Sequence, residues 1–411
     1  MSEVFISSAQ EPKAAGERDP WLALVTVLLL GAGLVMVLSA SSALAYVDNL
    51  SPLYYFERQA VFAVLGLVGL VVASRIDYHY WRRWAPLAAA AIVVLMLAVL
   101  VPGIGIRVNG ARRWFNLGPL GTFQPSEVAK LVMAVYLAHW VEKRGQRISE
   151  IGDGLLPFAL ILGGVLVLLM LQKDLGTALI MGGIFIAVYY TGGGPLRHLG
   201  LLILGLGLAF LFLTLFASYR SARLSVFLNP FQDPLGTGYQ ISQALVGLGS
   251  GGLTGVGLGH SVQKYLWLPE AHTDFIFAIV GEETGLIGTT LMLAGFVALC
   301  VRGYRAAYRA PDRFGLMLGA GITSWISLQA LLNMGTVTDT LPLTGVPLPL
   351  ISYGGTSLAI TLTAIGVLLN ISGHGGRHAL RRRRSDATID SGGRNRGTPA
   401  SSSRRRASLP R

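Results

Sequence analysis

Charge is the property that this sequence has least of. Asp, Glu, Lys and Arg make up 13% of its 411 residues, about half the share of an ordinary soluble domain. Hydrophobic residues make up 52%, and the mean hydropathy is +0.57. So little charge is not enough to cover the surface of a soluble globular protein of this length. The composition therefore predicts an integral membrane protein.

Cysteine is nearly absent as well. Cys300 is the one cysteine in the chain, so no internal disulfide is possible. The glycine run 247–259 contains no G-x-x-x-x-G-K-[ST] pattern and has no strand context, which argues against a nucleotide site. A cleavable signal is also lacking, because the first apolar run is a full span without a small-residue cleavage site. We expect that run to remain as an anchor.

What the sequence has in quantity is long apolar runs. Runs of about 17–25 residues cross the hydrocarbon core of a bilayer as helices. We predict an all-α, polytopic membrane protein with about ten transmembrane helices and a large outer loop, 219–273, between helices seven and eight. The ten predicted helices are Trp21–Ala40, Phe56–Val72, Trp84–Val101, Pro125–Val141, Leu155–Leu171, Leu175–Tyr190, Leu199–Ala217, Asp274–Val301, Phe314–Leu332 and Gly354–Ile371.

The basic residues follow the predicted topology. An even number of helices places both termini on one side, and with that side in the cytoplasm 24 of the 33 Lys and Arg residues are cytoplasmic. The pI near 10 therefore reflects topology, and we predict no nucleic-acid partner. We expect a cytoplasmic (inner) membrane protein with both termini in the cytoplasm. It divides into a tail, 1–20, a membrane domain, 21–371, and a basic, disordered tail, 372–411.

Arginines also occur on the predicted outer side, where positive charge is scarce. The loop 102–124 contains the adjacent residues Arg112 and Arg113, followed by Trp114, at the mouth of the fourth helix. Two interpretations stay open. The arginines either bind lipid headgroups without specificity or hold an anionic partner outside the cell.

The fourth predicted helix carries charge inside the membrane. Glu127 and Lys130, three residues apart, share one face near the outer leaflet. A charge at mid-bilayer costs about 2.5–3.5 kcal/mol on insertion scales, so such residues usually face a partner or a wet cavity. The two residues are either a structural ion pair or part of a polar cavity.

The segment 268–285, LPEAHTDFIFAIVGEETG, places acids around the start of the eighth helix. Thr273 is a candidate N-cap, which puts Asp274 in the first helical turn at the outer interface. Glu282 then lies about 12 Å deeper and about 80° around the helix, and Glu283 points nearly opposite Asp274. We expect the two glutamates to satisfy internal contacts or to line the base of a cavity. Asp274 is either a helix-start acid or a reactive one.

Two more segments of the outer side have a predicted structure. The apolar segment Thr340–Ser357 contains three prolines and the pair Gly354–Gly355, which forbid a regular helix. Irregular backbone at membrane depth survives only against protein or a wet cavity, so we expect a packed or re-entrant loop that is either a cavity wall or a plug. In the long outer loop, Gln240–Leu248 predicts a short interfacial helix.

Six motifs between Trp21 and Ile371 resemble a known family. In order, they are NGARRWFNLG, FQPSEVAKL, QKDLGTALI, GYQISQALVGLGSGG, GVGLGHSVQKYLWLPEAHTDFIFAIVGEETG and LPLTGVPLPLISYGGTSLA. Together they resemble the signatures of the SEDS family (shape, elongation, division and sporulation). The letters SVQK before LPEAHTDFIF, and Gly281 before the two glutamates, are more similar to division members than to elongation members.

The resemblance implies an enzyme and a site. It implies a ten-helix peptidoglycan glycosyltransferase that polymerises lipid II into a nascent glycan strand on the outer face of the membrane. Its partners would be a class B penicillin-binding transpeptidase and other division proteins. The essential aspartate of the family falls on Asp274, the expected general base. The residues expected to bind substrate are Arg112, Arg113, Glu127, Lys130, Lys264 and His272, with Asp174, Glu282 and Glu283 as structural polar residues.

The expected cofactor is at most a divalent cation, Mg²⁺ or Mn²⁺, for which no ligand cluster in the sequence identifies a site; no organic cofactor is expected. The sequence departs from the family at Lys173, where proline is usual, and at Asp339 and Thr340, where Gly-Leu is usual. These departures concern the connection between helices five and six and the outer rim. Two other functions stay open, a lipid II flippase and a noncatalytic division scaffold.

Overall fold

The structure is a computed structural model, and it describes residues 18–393 except 109, 119–120, 216–226, 228–232, 234–235 and 237. Side chains are described up to residue 374, without 210–215. The elements in chain order are α1 (Pro20–Val47), α2 (Tyr54–Arg75), α3 (His79–Ala98), β1 (Ile106–Val108), β2 (Ala111–Asn116), β3 (Thr122–Phe123), α4 (Pro125–Arg144), α5 (Leu156–Leu171), α6 (Leu175–Thr191), α7 (Leu196–Leu215), α8 (Tyr239–Ser250), α9 (Ile276–Tyr308), α10 (Arg313–Val337) and α11 (Gly355–Gly393).

The predicted helical membrane architecture is confirmed. Each of the ten predicted segments falls on one of the helices α1–α7 and α9–α11. Seven described helices are long and apolar enough to cross a membrane, while α6 and α7 are shorter apolar helices. The fourth helix, α4, carries too much charge to stand out by composition, since it contains Glu127 and Lys130. The predicted helix at Gln240–Leu248 is α8.

Aspartates begin several of the helices. The Asp19 carboxylate accepts the backbone N–H groups of Trp21 and Leu22 at the start of α1. The Asp174 carboxylate accepts the N–H of Thr177 in α6. The Asp312 carboxylate accepts the N–H of Gly315 in α10 at 2.8 Å. A carboxylate at an N-cap satisfies amides that have no partner in the helix and favours the positive end of the helix dipole.

The two ends of the bundle differ. At one end, which we call the terminal end, the first and last spans meet. There the Asp19 N–H donates to Ser372 Oγ at 3.1 Å. The opposite end, named the sheet end, carries a small antiparallel sheet in the order β1–β2–β3 within the connection from α3 to α4. Arg107 pairs with Arg112 across β1 and β2, and Phe115 with Phe123 across β2 and β3. This sheet was not predicted from the sequence.

The core lies around α10 and α11. Most side chains of α10 are buried, and Trp325 is fully enclosed. The helices α2, α3 and α5 leave most of their apolar side chains exposed or only partly buried, as helices facing lipid do. The last helix extends to Gly393, so residues 372–393, predicted to be disordered, are helical in this structure. Ala379, Leu380 and the arginines that follow them are good helix formers, which explains the continuation.

Helix α9 is broken, although a continuous helix was predicted. Gly285 has φ 67° and ψ −164°, outside the helical region, so α9 consists of a short buried half before Gly285 and a long half after it. The glycine run 247–259 packs against this break. The N–H groups of Val256 and Gly257 donate to the carbonyls of Glu282 and Glu283 at 3.0 and 3.1 Å. The run thus satisfies backbone groups that the break leaves open.

Candidate active site

Asp274 lies just before α9, not in its first turn. The segment before the helix is a series of turns in which Glu270 has φ 55° and its carbonyl accepts the N–H groups of Thr273 and Phe275. The Thr273 hydroxyl binds Glu270 instead of capping α9, which begins at Ile276. The predicted capping by Thr273 was therefore wrong. Asp274 is half-buried in this preceding turn.

The Pro-rich loop, residues 340–354, holds this turn in place. The Asn333 amide of α10 donates to the Asp274 carbonyl at 2.7 Å and to the Val346 carbonyl at 2.8 Å, so one side chain ties the two segments together. The Ser352 hydroxyl donates to the Thr273 carbonyl at 2.6 Å. The nearest atom to a Cβ built on Gly345 is Oδ2 of Asp274, at 3.4 Å. The loop therefore forms a wall beside the Asp274 carboxylate.

Aromatic rings surround the residue two positions before Asp274. The His272 imidazole lies 5.3 Å from the Tyr55 ring and 5.6 Å from the Tyr353 ring, measured between centroids. The Tyr353 N–H donates to the His272 carbonyl at 2.9 Å. Burial lowers the pKa of the His272 imidazole, while the nearby Glu270 and Asp48 carboxylates raise it by less. The imidazole is therefore neutral at pH 7, in a cluster of flat apolar faces.

Glu127 and Lys130 form a buried network within the bundle. Lys130 is fully enclosed, and its Nζ lies 2.9 Å from Glu127 Oε1 and 2.8 Å from Gln329 Oε1. The ammonium also lies 5.0 Å from the Trp325 ring centre. The Gln329 amide donates in turn to the Pro347 carbonyl at 2.9 Å. Through Gln329, this network is hydrogen-bonded to the Pro-rich loop. Lys130 has no exposed surface with which to contact a substrate.

Arg112 and Arg113 point to opposite faces of β2, because neighbouring residues of a strand alternate. Both were expected to bind substrate, but they cannot hold one anion between them from the same face of the strand. Arg113 is engaged at the α5–α6 connection: it donates to the carbonyls of Gln172 and Lys173, and it lies 3.8 Å from the Asp174 carboxylate. Arg112 instead shares a face with Arg107, and its Nη1 donates a long hydrogen bond, 3.4 Å, to the Leu100 carbonyl. Like charges paired directly across two strands are unfavourable unless an anion separates them.

Glu282, Glu283 and Lys264 lie inside the protein. The Glu282 carboxylate accepts the Ser261 hydroxyl and the Val262 N–H, the latter at 2.9 Å. Glu283 Oε1 accepts the Ser39 hydroxyl at 2.6 Å and lies 3.3 Å from Lys264 Nζ. Both glutamates therefore fix the chain after the glycine run. Lys264 is 4% exposed, so the structure turns its ammonium inward and not toward a substrate.

The described residues do not fit a cation held by protein ligands alone. Among them, no group of three or more His, Cys, Asp and Glu side chains could hold a metal ion.

Sequence reasoning missed several residues around Asp274. Asn333, Gln329, Tyr55 and Tyr353 come from other elements and carry no charge, so no charge pattern marks them. Arg58 of α2 was not singled out either, and its guanidinium lies 3.0 Å from a Cβ built on Gly121, next to the sheet. A polar side chain in an apolar span is the signal that points to Asn333 and Gln329.

The fold and this site define a polytopic helical membrane protein with a half-buried carboxylate at one end of the bundle. A model of the family described as "Cell cycle protein", which covers FtsW, RodA and SpoVE, matches residues 20–376. The chain belongs to this family, as the sequence motifs predict. It is 43% identical to a "probable peptidoglycan glycosyltransferase FtsW" of Geobacter metallireducens over 86% of this chain and 94% of that protein.

Other relatives agree. The "stage V sporulation protein E" of Bacillus subtilis is 42% identical over 86% of this chain and 96% of that protein. Among solved structures, a chain from a peptidoglycan synthase complex that coordinates polymerization and crosslinking has a TM-score of 0.71 at 30% identity. It covers 86% of this chain and 97% of that one. Thermus thermophilus RodA has a TM-score of 0.64 at 30% identity, covering 86% and 96%. The FtsW relatives are named as peptidoglycan glycosyltransferases, which is the enzyme class predicted from the sequence.

Proposed function

We propose that this chain is a peptidoglycan glycosyltransferase that polymerises lipid II into glycan strands on the outer face of the cytoplasmic membrane during cell division. Identity separates this chain from the solved RodA, which is 30% identical, whereas relatives named FtsW and stage V sporulation protein E are 43% and 42% identical. The letters SVQK before LPEAHTDFIF support the division role. The observation that carries the activity is the position of Asp274. Its carboxylate stands at the sheet end of the bundle, in a turn fixed by α10 and the Pro-rich loop.

Asp274 acts as the general base of the reaction. The 4-hydroxyl of one lipid-linked disaccharide attacks the anomeric carbon of the growing strand, and its proton passes to the Asp274 carboxylate. The new glycosidic bond forms as the bond to the lipid pyrophosphate breaks, and the pyrophosphate leaves with the electron pair. Configuration at the anomeric carbon inverts, so the reaction needs a base and no covalent nucleophile. The neutral His272 and the rings of Tyr55 and Tyr353 offer faces on which sugar rings stack.

Cations at the sheet end stabilise the leaving pyrophosphate. Arg112 keeps this proposed role, now together with Arg107, because the two side chains share a face of the sheet and an anion relieves their repulsion. Arg113 and Lys130 have a different role. They act as positioning residues, because each is already engaged with protein groups that shape the site.

The sheet end faces the outside in this proposal, and both termini lie in the cytoplasm. The count of basic residues supports this orientation, because most lie at the terminal end or beyond it. We also propose a class B penicillin-binding transpeptidase as partner, supported by the similarity to a chain from a peptidoglycan synthase complex.

The test is polymerisation of lipid II by the purified full-length chain in detergent, with and without the transpeptidase. Asp274→Asn keeps the size of the side chain and removes the base, so we expect the rate to fall by about 10²–10⁴-fold. Glu270→Gln is the matched control, because Glu270 is an exposed acid four residues earlier in the same segment. It should leave the rate unchanged.

Two outcomes contradict the proposal. A flippase yields no polymer in detergent whichever residue stands at position 274, even when the transpeptidase is present. A noncatalytic scaffold supports cell division equally well with Asp274→Asn, and loses that support only when a lipid-facing helix surface is changed.

A further inference from the structure

A cavity at the terminal end lies far from the proposed active site in sequence and in the fold. It occupies about 610 Å³ where α4 passes into α5, through a short 3₁₀ turn (Gly145–Ser149) and a π turn (Ile151–Leu155). That volume lies within the range of about 300–1,000 Å³ usual for small-molecule sites. The cavity is lined by Trp140, Lys143, Arg144, Arg147 and Asp153.

The lining is cationic and partly preorganised. The Arg144 guanidinium stacks on the Trp140 ring, with Cζ 4.0 Å from the ring centre, and it donates to the Asp153 carbonyl. Lys143 and Arg147 are exposed and, among the described residues, have no acidic side chain within ion-pair distance. Three cations against the one carboxylate of Asp153 leave a net positive site. They outweigh the partial negative charge at the carboxyl end of α4.

Beside the cavity begins a surface that suits acyl chains. Ile151, Leu156 and Leu160 are 62%, 55% and 67% exposed, and the last two are one helical turn apart on the same face of α5. This segment is part of a span long and apolar enough to cross a membrane. Trp140 lies at the edge of the spans, where Trp is enriched at the interface between membrane and water. A basic cavity thus opens next to a lipid-facing apolar stripe.

We propose that this cavity binds the headgroup of an anionic phospholipid. The phosphate contacts Arg144, Lys143 and Arg147, with the planar Arg144 fork presented by its stacking on Trp140. The acyl chains lie along Leu156 and Leu160. Basic pockets between membrane helices recognise anionic lipids through this combination of charge and adjacent apolar surface. The site is independent of the glycosyltransferase reaction.

The test uses the full-length chain purified in neutral detergent and titrated with phosphatidylglycerol, with bound lipid counted by native mass spectrometry. Phosphatidylcholine, with a neutral headgroup, and inorganic phosphate, without acyl chains, are the comparison ligands. We expect phosphatidylglycerol to bind more tightly than either. The double variant Lys143→Ala/Arg147→Ala should weaken its binding by roughly tenfold or more.

Two variants complete the experiment. Arg305→Ala/Arg309→Ala removes two exposed cations at the same end of the bundle but outside the cavity, and it should leave binding unchanged. Lys143→Arg/Arg147→Lys keeps the charge and should keep the affinity. The proposal is overturned if phosphatidylcholine binds equally well, or if both alanine pairs have the same effect. Equal binding of inorganic phosphate would identify a free-anion site instead.

Discussion

Two side chains of α10 hold the turn that contains Asp274 and the Pro-rich loop beside it. Asn333 is buried in α10, and its amide donates to carbonyls of the two segments that meet at Asp274. The amide of Gln329, one helical turn earlier, donates to the Pro347 carbonyl, and its oxygen accepts a hydrogen bond from Lys130. The position of Asp274 therefore depends on neutral side chains of another helix.

Replacement of Asn333 tests this dependence. Asn333→Ala leaves two carbonyls without their donor, and a buried unsatisfied group costs about 1–3 kcal/mol. We expect lower thermal stability together with a slower polymerisation rate at saturating lipid II, because Asp274 loses its fixed position. Thr338→Ala is the control, since its hydroxyl binds mainly carbonyls of its own helix, such as that of Met334 at 2.9 Å. Normal activity in Asn333→Ala would contradict a positioning role.

The buried pair Lys264–Glu283 gives a second prediction at this scale. Lys264→Met leaves the Glu283 carboxylate buried with one partner fewer, which costs about 3–5 kcal/mol. Adding Glu283→Gln removes the buried charge, so the double variant should be more stable than Lys264→Met alone. Thermal unfolding in detergent measures both. If Glu283→Gln lowers the stability of Lys264→Met by as much as it lowers that of the unaltered protein, the two side chains do not interact.

At the scale of elements, the break in α9 decides how the site is built. The short buried half carries Glu282 and Glu283 to the glycine run, and the long half after Gly285 exposes many apolar side chains, as a membrane span does. A continuous helix would extend the buried half straight into the span. It would lose the backbone pairing between the run and the break.

Gly285→Ala tests the break. A Cβ on Gly285 would lie 2.4 Å from the Gly255 nitrogen, and the residue would have to hold a φ of 67°. We expect a loss of stability larger than the roughly 1–3 kcal/mol that a strained φ alone costs, because the backbone atoms of Gly255 cannot give way. Gly164→Ala is the matched control, since nothing lies within 4 Å of its Cβ position in α5. It should be neutral or stabilising in thermal unfolding.

The hairpin between α5 and α6 explains one departure from the family. Lys173 has φ 58°, which the ring of proline forbids. Lys173→Pro should therefore destabilise this chain and release Arg113 from the carbonyls it binds. Lys173→Gly accepts the same φ without strain, and we expect it to be neutral or stabilising by up to about 1 kcal/mol. Equal melting temperatures for both variants would contradict this turn.

At the scale of the whole molecule, an even number of spans brings the chain ends together. Asp19 bonds to Ser372 and forms an ion pair with Arg302, so the first, eighth and tenth spans meet at the terminal end. All residues assigned to the reaction lie at the opposite end. The end with the proposed reactive residues is therefore opposite the end at which the first and last spans meet.

Labelling from one side of the membrane tests the orientation. In a Cys300→Ser background, Leu117→Cys places a thiol on the exposed sheet end and Gln146→Cys on the exposed terminal end. A membrane-impermeant maleimide added to intact cells should label position 117 alone. Position 146 should react only after the cells are opened. The reverse pattern would place Asp274 on the cytoplasmic side and exclude polymerisation outside.

The sequence by itself determined the class, the spans and the family. Long apolar runs need internal hydrogen bonding in lipid, which only helices provide along one segment, so composition and length were sufficient to predict the class and the spans. The six motifs were needed to recognise the family. The sequence also singled out Asp274, through motifs that resemble a family. These properties are local, and each can be recognised in one stretch of chain.

Only the tertiary structure decided which polar residues meet. Arg112 and Arg113 are adjacent in sequence but separate onto two faces of a strand, whereas Asn333 and Asp274 are 59 residues apart and share a hydrogen bond. Lys130 and Lys264 carry the same charge as the outer arginines, yet packing encloses both. Contacts between distant segments depend on how helices pack and where one breaks, and no local pattern of residues contains that information.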